Sequence, residues 1–180
     1  MLASGHPAKA FFGKGYRLAL DFIHVAEVSD GELAAGHIFR RKFQCDPPDV
    51  PHHVVAFYKD EAQRLVPVTY VHFRPFGDIC LVGGACTDGN GLRAIPESLR
   101  ASITADNSCY LAALSWAFAR FGPRFDGIFG YCGDARAEAV DLQAGFEKTA
   151  HQHLLVHWPK PVHPNIARAL TAKAAALGPF

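Results

Sequence analysis

The sequence predicts an α+β chain built on a mixed, mostly antiparallel central sheet with helices on both faces. Three observations carry this. Residues 53–86 hold three strand-like runs joined by short polar turns, the pattern of an antiparallel meander. Residues 125–158 run strand, helix, strand over about thirty residues, the length of one βαβ crossover unit. An Ala-rich run then closes the chain as a C-terminal helix. With 180 residues, 49% hydrophobic and 19% charged, the chain suits a single domain over 1–180 with a full core, residues 1–14 being loosely ordered.

Taken in order, residues 16–28 contain Leu18, Leu20, Phe22, Ile23 and Val25 and predict a strand in their first part. Ser29 stands three residues before Glu32, a capping-box-like start for a helix over 30–43 with Leu33, Ile38 and Phe39 on its apolar side. Arg40, Arg41 and Lys42 suit the last turn of that helix, and Pro47-Pro48 stop it. Strands follow at 53–58, 65–73 and 79–86, Pro67 standing near the start of the second, where a missing N–H is tolerable. Residues 87–93 form a Gly-rich loop, Pro96 opens a short helical run as an N1 proline, and residues 106–108 offer caps for an apolar helix over 109–121 ended by Gly122-Pro123. Trp116 and Phe118 lie in that helix as core residues. Residues 128–132 are strand-like, Gly133-Asp134 is a turn and cap, and a helix runs to Gly145. A strand at 154–158 and a helix at 164–177 complete the chain.

The formal net charge is +1 and no basic stripe occurs, so no nucleic-acid partner is expected. No run approaches the ~18 apolar residues of a membrane span, so no membrane association is expected. Five scattered cysteines without a CxxC predict free thiols and a cytoplasmic protein. His151, His153 and His157 share one face of a strand, but the last two stand about 13 Å apart there, too far for one metal ion, so no metal site is expected.

The glycine-rich segment is the first candidate for chemistry. Gly83, Gly84, Gly89 and Gly91 expose backbone N–H groups ahead of a helix, and Arg93 adds a cation, a combination that suits a phosphate. Cys86 sits beside it as a buried structural thiol, with no positioned histidine or aspartate to activate it.

The element order, with this loop after the meander, resembles the GCN5-related N-acetyltransferase (GNAT) superfamily. Residues 134–146 resemble the family text Asn-x-x-Ala-x-x-Leu-Tyr-x-x-x-Gly-Phe: Asp134 stands at the Asn, Ala137 at the Ala, Val140 at the Leu and Gly145-Phe146 at the Gly-Phe. The family's proton-donating tyrosine falls on Asp141. The resemblance implies that the third meander strand and the strand at 128–132 lie side by side and splay into a V. Acetyl-CoA or a longer acyl-CoA would enter it as substrate. Gly84, Ala85 and Cys86 would pair with the pantetheine arm, and Gly89, Asn90, Gly91 and Arg93 would take the pyrophosphate. Asp134 would cap the helix beside the cofactor. An amine, from a small molecule or a peptide, would attack the thioester directly. Positioning and the removal of one proton then supply most of the catalysis. His72, titrating near neutral pH, and Tyr131, at the end of a strand bordering the V, are the candidate catalytic residues. The alternative reading is a catalytically silent protein of this fold that binds a ligand or a protein partner, for example as a homodimeric scaffold.

Overall fold

A computed structural model describes residues 20–104 and 108–180. In chain order the elements are β1 (Ile23–Val28), α1 (Gly31–Phe43), β2 (His52–Lys59), β3 (Leu65–Phe76), β4 (Ile79–Thr87), α2 (Gly89–Ala94), α3 (Glu97–Arg100), α4 (Cys109–Phe121), β5 (Gly127–Tyr131), α5 (Ala135–Gln143), β6 (Glu147–Lys148), β7 (Leu154–His157) and α6 (Pro164–Ala175). The seven strands form one sheet in the order β1-β2-β3-β4-β5-β7-β6. Every neighbouring pair is antiparallel except β4 and β5, which run parallel. The expected α+β class, mostly antiparallel sheet and C-terminal helix are therefore present.

The sheet is covered on both faces. On one, α4 buries Cys109, Ala113, Leu114, Ala117 and Phe121 against Val54, Ala56, Val71, Phe73, Cys80 and Val82. Ser108 caps α4, its hydroxyl accepting from Leu111 N–H at 3.1 Å. On the other face α1 places Ala35, Ile38 and Phe39 over Val55, Phe57, Tyr70 and Cys86, and α6 covers Ile79, Leu81, Phe129, Leu154 and Val156 with Leu170 and Ala174. Alternate residues along each strand thus feed two cores, so the middle strands are apolar throughout instead of alternating.

Four local expectations are corrected. The first strand occupies the second half of residues 16–28, because the chain turns between Leu20 and Ile23 before pairing begins; residues 16–19 and 105–107 lie outside the described residues, as does the loosely ordered segment expected over 1–14. The cap of α1 is Asp30, whose carboxylate accepts from Leu33 N–H at 2.8 Å, and not Ser29. Leu33 is 84% exposed, because it lies on the far side of α1 from Ile38 and Phe39. Pro96 is the cap of α3 and not its first helical residue.

The stretch at 125–158 is corrected more deeply. β5 and β7 are neighbours but antiparallel, with Ile128 opposite His157 and Tyr131 opposite Leu154. The crossover ends instead on the two-residue β6, and β7 folds back between β5 and β6. His151 and His153 consequently sit in the turn before β7, His153 with φ of 65°, and do not share a strand face with His157.

α2 docks where no side chain fits. A Cβ on Gly91 would lie 2.5 Å from Pro67 O and 3.0 Å from Val68 Cα, both backbone atoms of β3. Gly91→Ala is expected to destabilise the protein by about 1–3 kcal/mol through overpacking, measured as a lowered urea midpoint with an unchanged slope.

Candidate functional site

β4 and β5 pair through Ile79↔Gly127, Cys80↔Ile128, Leu81↔Phe129 and Val82↔Gly130, and there the pairing ends although β4 runs on to Thr87. At the same level β4 bulges against β3. Tyr70 faces Cys86 and His72 faces Gly83, so Val71 is spanned by two residues, Gly84 and Ala85. Gly84 has φ of 56°, a left-handed conformation that glycine adopts without a steric penalty. A Cβ there would also lie 2.5 Å from both His72 and Phe39 side-chain atoms. The bulge bends β4 away from β5 and opens a cavity of about 670 Å³ between them.

That cavity is lined by Gly83, Gly84, Ala85, Cys86 and Thr87 of β4, by Gly130 to Asp134 at the end of β5, and by Tyr110, Asp141 and Phe146 behind. Lys42 and Arg136 bring two cations to it. Of the residues singled out from sequence, Gly84, Ala85, Cys86, Tyr131 and Asp134 meet here. Asp134 caps α5 as expected, accepting from Arg136 and Ala137 N–H, and these two bonds hold its carboxyl below the usual range. Burial pushes the Cys86 thiol up to about 12, so it is inert as a nucleophile at neutral pH.

Gly89, Asn90, Gly91 and Arg93 are not in the lining. They form α2, and its start already holds an anion: Asp88 accepts from Gly91 N–H at 2.8 Å and pairs with Arg41 of α1. Arg93 donates to Asn90 within the same helix. Sequence reasoning therefore missed the cations that do face the cavity, Lys42 and Arg136. The run of three basic residues ending α1 was the available signal for the first.

It also missed a buried pair. Asp141 is 4% exposed and accepts a hydrogen bond from Tyr110 Oη at 2.7 Å. Burial raises the Asp141 carboxyl, against the hydrogen bonds from Tyr110 and Cys132 that lower it. Burial and the facing carboxylate together hold the Tyr110 hydroxyl well above its ordinary value. The two residues come from α4 and α5, 31 positions apart, and nothing local in the sequence pairs them.

His72 lies on the other side of the bulge. Its ring packs against Gly83 and Gly84, with Phe39 and Tyr70 at 6.2 and 6.0 Å between ring centroids. Nδ1 is buried and has no hydrogen-bond partner among the described residues. Burial, with His53 and Arg74 nearby, lowers its pKa to about 4, so the ring is neutral at physiological pH. His53, whose Nδ1 lies 2.7 Å from Tyr70 Oη, and His157 are shifted down for the same principal reason, burial. His72 does not line the first cavity. It lines a second, of about 500 Å³, and Phe43, Gly83, Gly84 and Phe180 border both.

No protein-family model matches the chain, and no curated protein matches it. Solved structures do. The ribosomal-protein-S18-alanine N-acetyltransferase from Escherichia coli aligns with a TM-score of 0.51 at 11% identity, over 79% of this chain and 97% of that one. An acetyltransferase from Exiguobacterium sp. 255-15 aligns with a TM-score of 0.42 at 11% identity, over 74% and 91%. The first of these likenesses shows the fold: this chain has the GNAT fold, in a divergent form.

The histidines give the protein a pH dependence of definite sign. A folded-state pKa near 4 against about 6.5 unfolded means that the unfolded chain binds the extra proton in between. Stability is complete above about pH 6.5 and falls as pH drops toward 4, by at most about 3 kcal/mol for His72. Asp141, shifted upward, works in the opposite sense. Urea unfolding at pH 7 and pH 4.5 is expected to show a smaller loss on acidification for His72→Gln than for the native chain.

Proposed function

We propose that the protein is an acyl-CoA-dependent N-acyltransferase in which an amine attacks the thioester directly at the splayed end of β4 and β5. The observation that carries this reading is the cavity opened where the pairing stops at Val82↔Gly130 beside a bulge at Gly84–Ala85. A bulge takes backbone groups out of the ladder and leaves them free to bond a ligand. The pantetheine arm would run along Gly84, Ala85 and Cys86, in effect replacing β5 as the neighbour of β4. Lys42 and Arg136 would face the phosphates.

The chemistry needs little more. The thioester oxygen would be polarised by backbone N–H at the bulge. As the neutral amine adds, its nitrogen must give up one proton, and the neutral imidazole of His72, packed on the far side of Gly83 and Gly84, would take it. As the C–S bond breaks, the thiolate of CoA must gain one proton. Tyr110, positioned by its hydrogen bond to Asp141 in the wall of the cavity, is the hydroxyl suited to give it. Asp141 thus occupies the helix position of the family's tyrosine, and the hydroxyl comes from the neighbouring helix. Tyr131 packs on Phe180 and His153, with ring centroids 6.2 and 5.9 Å away, and acts as a wall of the site.

Calorimetric titration with CoA and acetyl-CoA tests the reading. Binding is expected, and Lys42→Ala with Arg136→Ala is expected to weaken it by about tenfold or more. No heat and no thermal stabilisation with either ligand would sink it. Tyr110→Phe is expected to keep CoA affinity and lower turnover by about 10²-fold, read as release of the CoA thiol.

A further inference from the structure

The second cavity has a character of its own. Phe39 and Phe43 of α1, whose rings lie 4.6 Å apart between centroids, form one wall, and Pro48 and Val50 another. Leu81, Gly83 and Gly84 line it further, with His72 packed against the two glycines. A pocket so lined selects an apolar or aromatic group. The charged side chains in its lining are Asp46, which is paired with Arg40, and Arg74, which has no ion-pair or hydrogen-bond partner among the described residues. Nδ1 of His72 also has no hydrogen-bond partner among the described residues.

Arg74 and His72 are two residues apart on β3, on the same side of the sheet. Strand geometry places their Cα atoms about 7 Å apart. One hydrogen bond of about 2.8 Å at each end leaves room between them for the amino nitrogen and carboxylate of one α-amino acid. A planar guanidinium without a partner is matched to a carboxylate. The nitrogen would then lie by His72 at the bulge, where both cavities share Gly83 and Gly84.

We infer that the acceptor is a free α-amino acid with an apolar, preferably aromatic, side chain, its carboxylate held by Arg74 and its nitrogen directed past His72 into the cleft. This rests on the acyltransferase reading and deepens it. The reaction joins the acyl carbon to the amino nitrogen, breaks the C–S bond, and yields an N-acyl amino acid and free CoA.

The experiment has two arms. Thermal stabilisation by CoA is measured first and tests the underlying reading alone. Thiol release from acetyl-CoA is then followed with phenylalanine, leucine, glycine, phenethylamine, and a peptide beginning with phenylalanine. Phenylalanine is expected to lead, and phenethylamine, which lacks the carboxylate, to fall at least about tenfold in kcat/KM. Arg74→Ala, at an exposed position, is expected to erase that difference while leaving stabilisation by CoA unchanged. Stabilisation by CoA without acylation of any amino acid overturns this inference and leaves the acyltransferase reading standing. So does equal use of phenethylamine and phenylalanine, preference for the peptide, or an unaltered preference in Arg74→Ala. Failure of CoA to bind overturns both.

Discussion

β4 and β5 are joined by four residue pairs and then part, and the geometry of the site depends on that parting. Parallel strands need a long crossover to meet, and here α2, α3 and α4 supply it. Beyond Val82 the two strands have no common ladder. β4 keeps its other neighbour, β3, and the extra residue at Gly84–Ala85 bends it that way. The same glycines leave space for His72 and Phe39 on one side and for the cavity on the other. A single irregularity in one strand therefore sets the opening of the cleft, the placement of the imidazole and the contact between the two cavities.

The surrounding charges support this arrangement from a distance. Asp88 closes the start of α2 and pairs with Arg41, tying the end of α1 to the end of β4. That leaves Lys42, one residue on, at the cavity. Asp134 caps the start of α5 and Asp141 lies about two turns further on, with opposite fates. The first is exposed and held ionised by two backbone N–H groups, while the second is buried, with its carboxyl shifted up. Two carboxyls of one short segment are thus pushed apart in acidity by their surroundings.

Much of the fold was legible locally. The boundaries of α4 and α5, the cap at Asp134 and the three meander strands all follow from patterns within about a dozen residues, where propensity, capping and apolar spacing agree. The part of the candidate site that was legible is of the same kind: the glycines at 83 and 84, Cys86 and Asp134 each lie within or at the end of a readable element. Tyr110 with Asp141, Arg41 with Asp88, and Arg74 beside the aromatic pocket were not legible. Each joins elements far apart in the chain, and no periodicity encodes a partner at that distance.

The sequence by itself determined the class of the protein, its element order and the helix with the GNAT-like text, because these rest on interactions between near neighbours along the chain. Only the tertiary structure decided that β7 folds back antiparallel between β5 and β6, that the glycine-rich segment after β4 closes into α2 around Asp88, and that His72 stands across the bulge from the cleft. Strand order, the neighbour a carboxylate finds, and the burial that keeps an imidazole neutral are all set by which distant segments meet in the packed core.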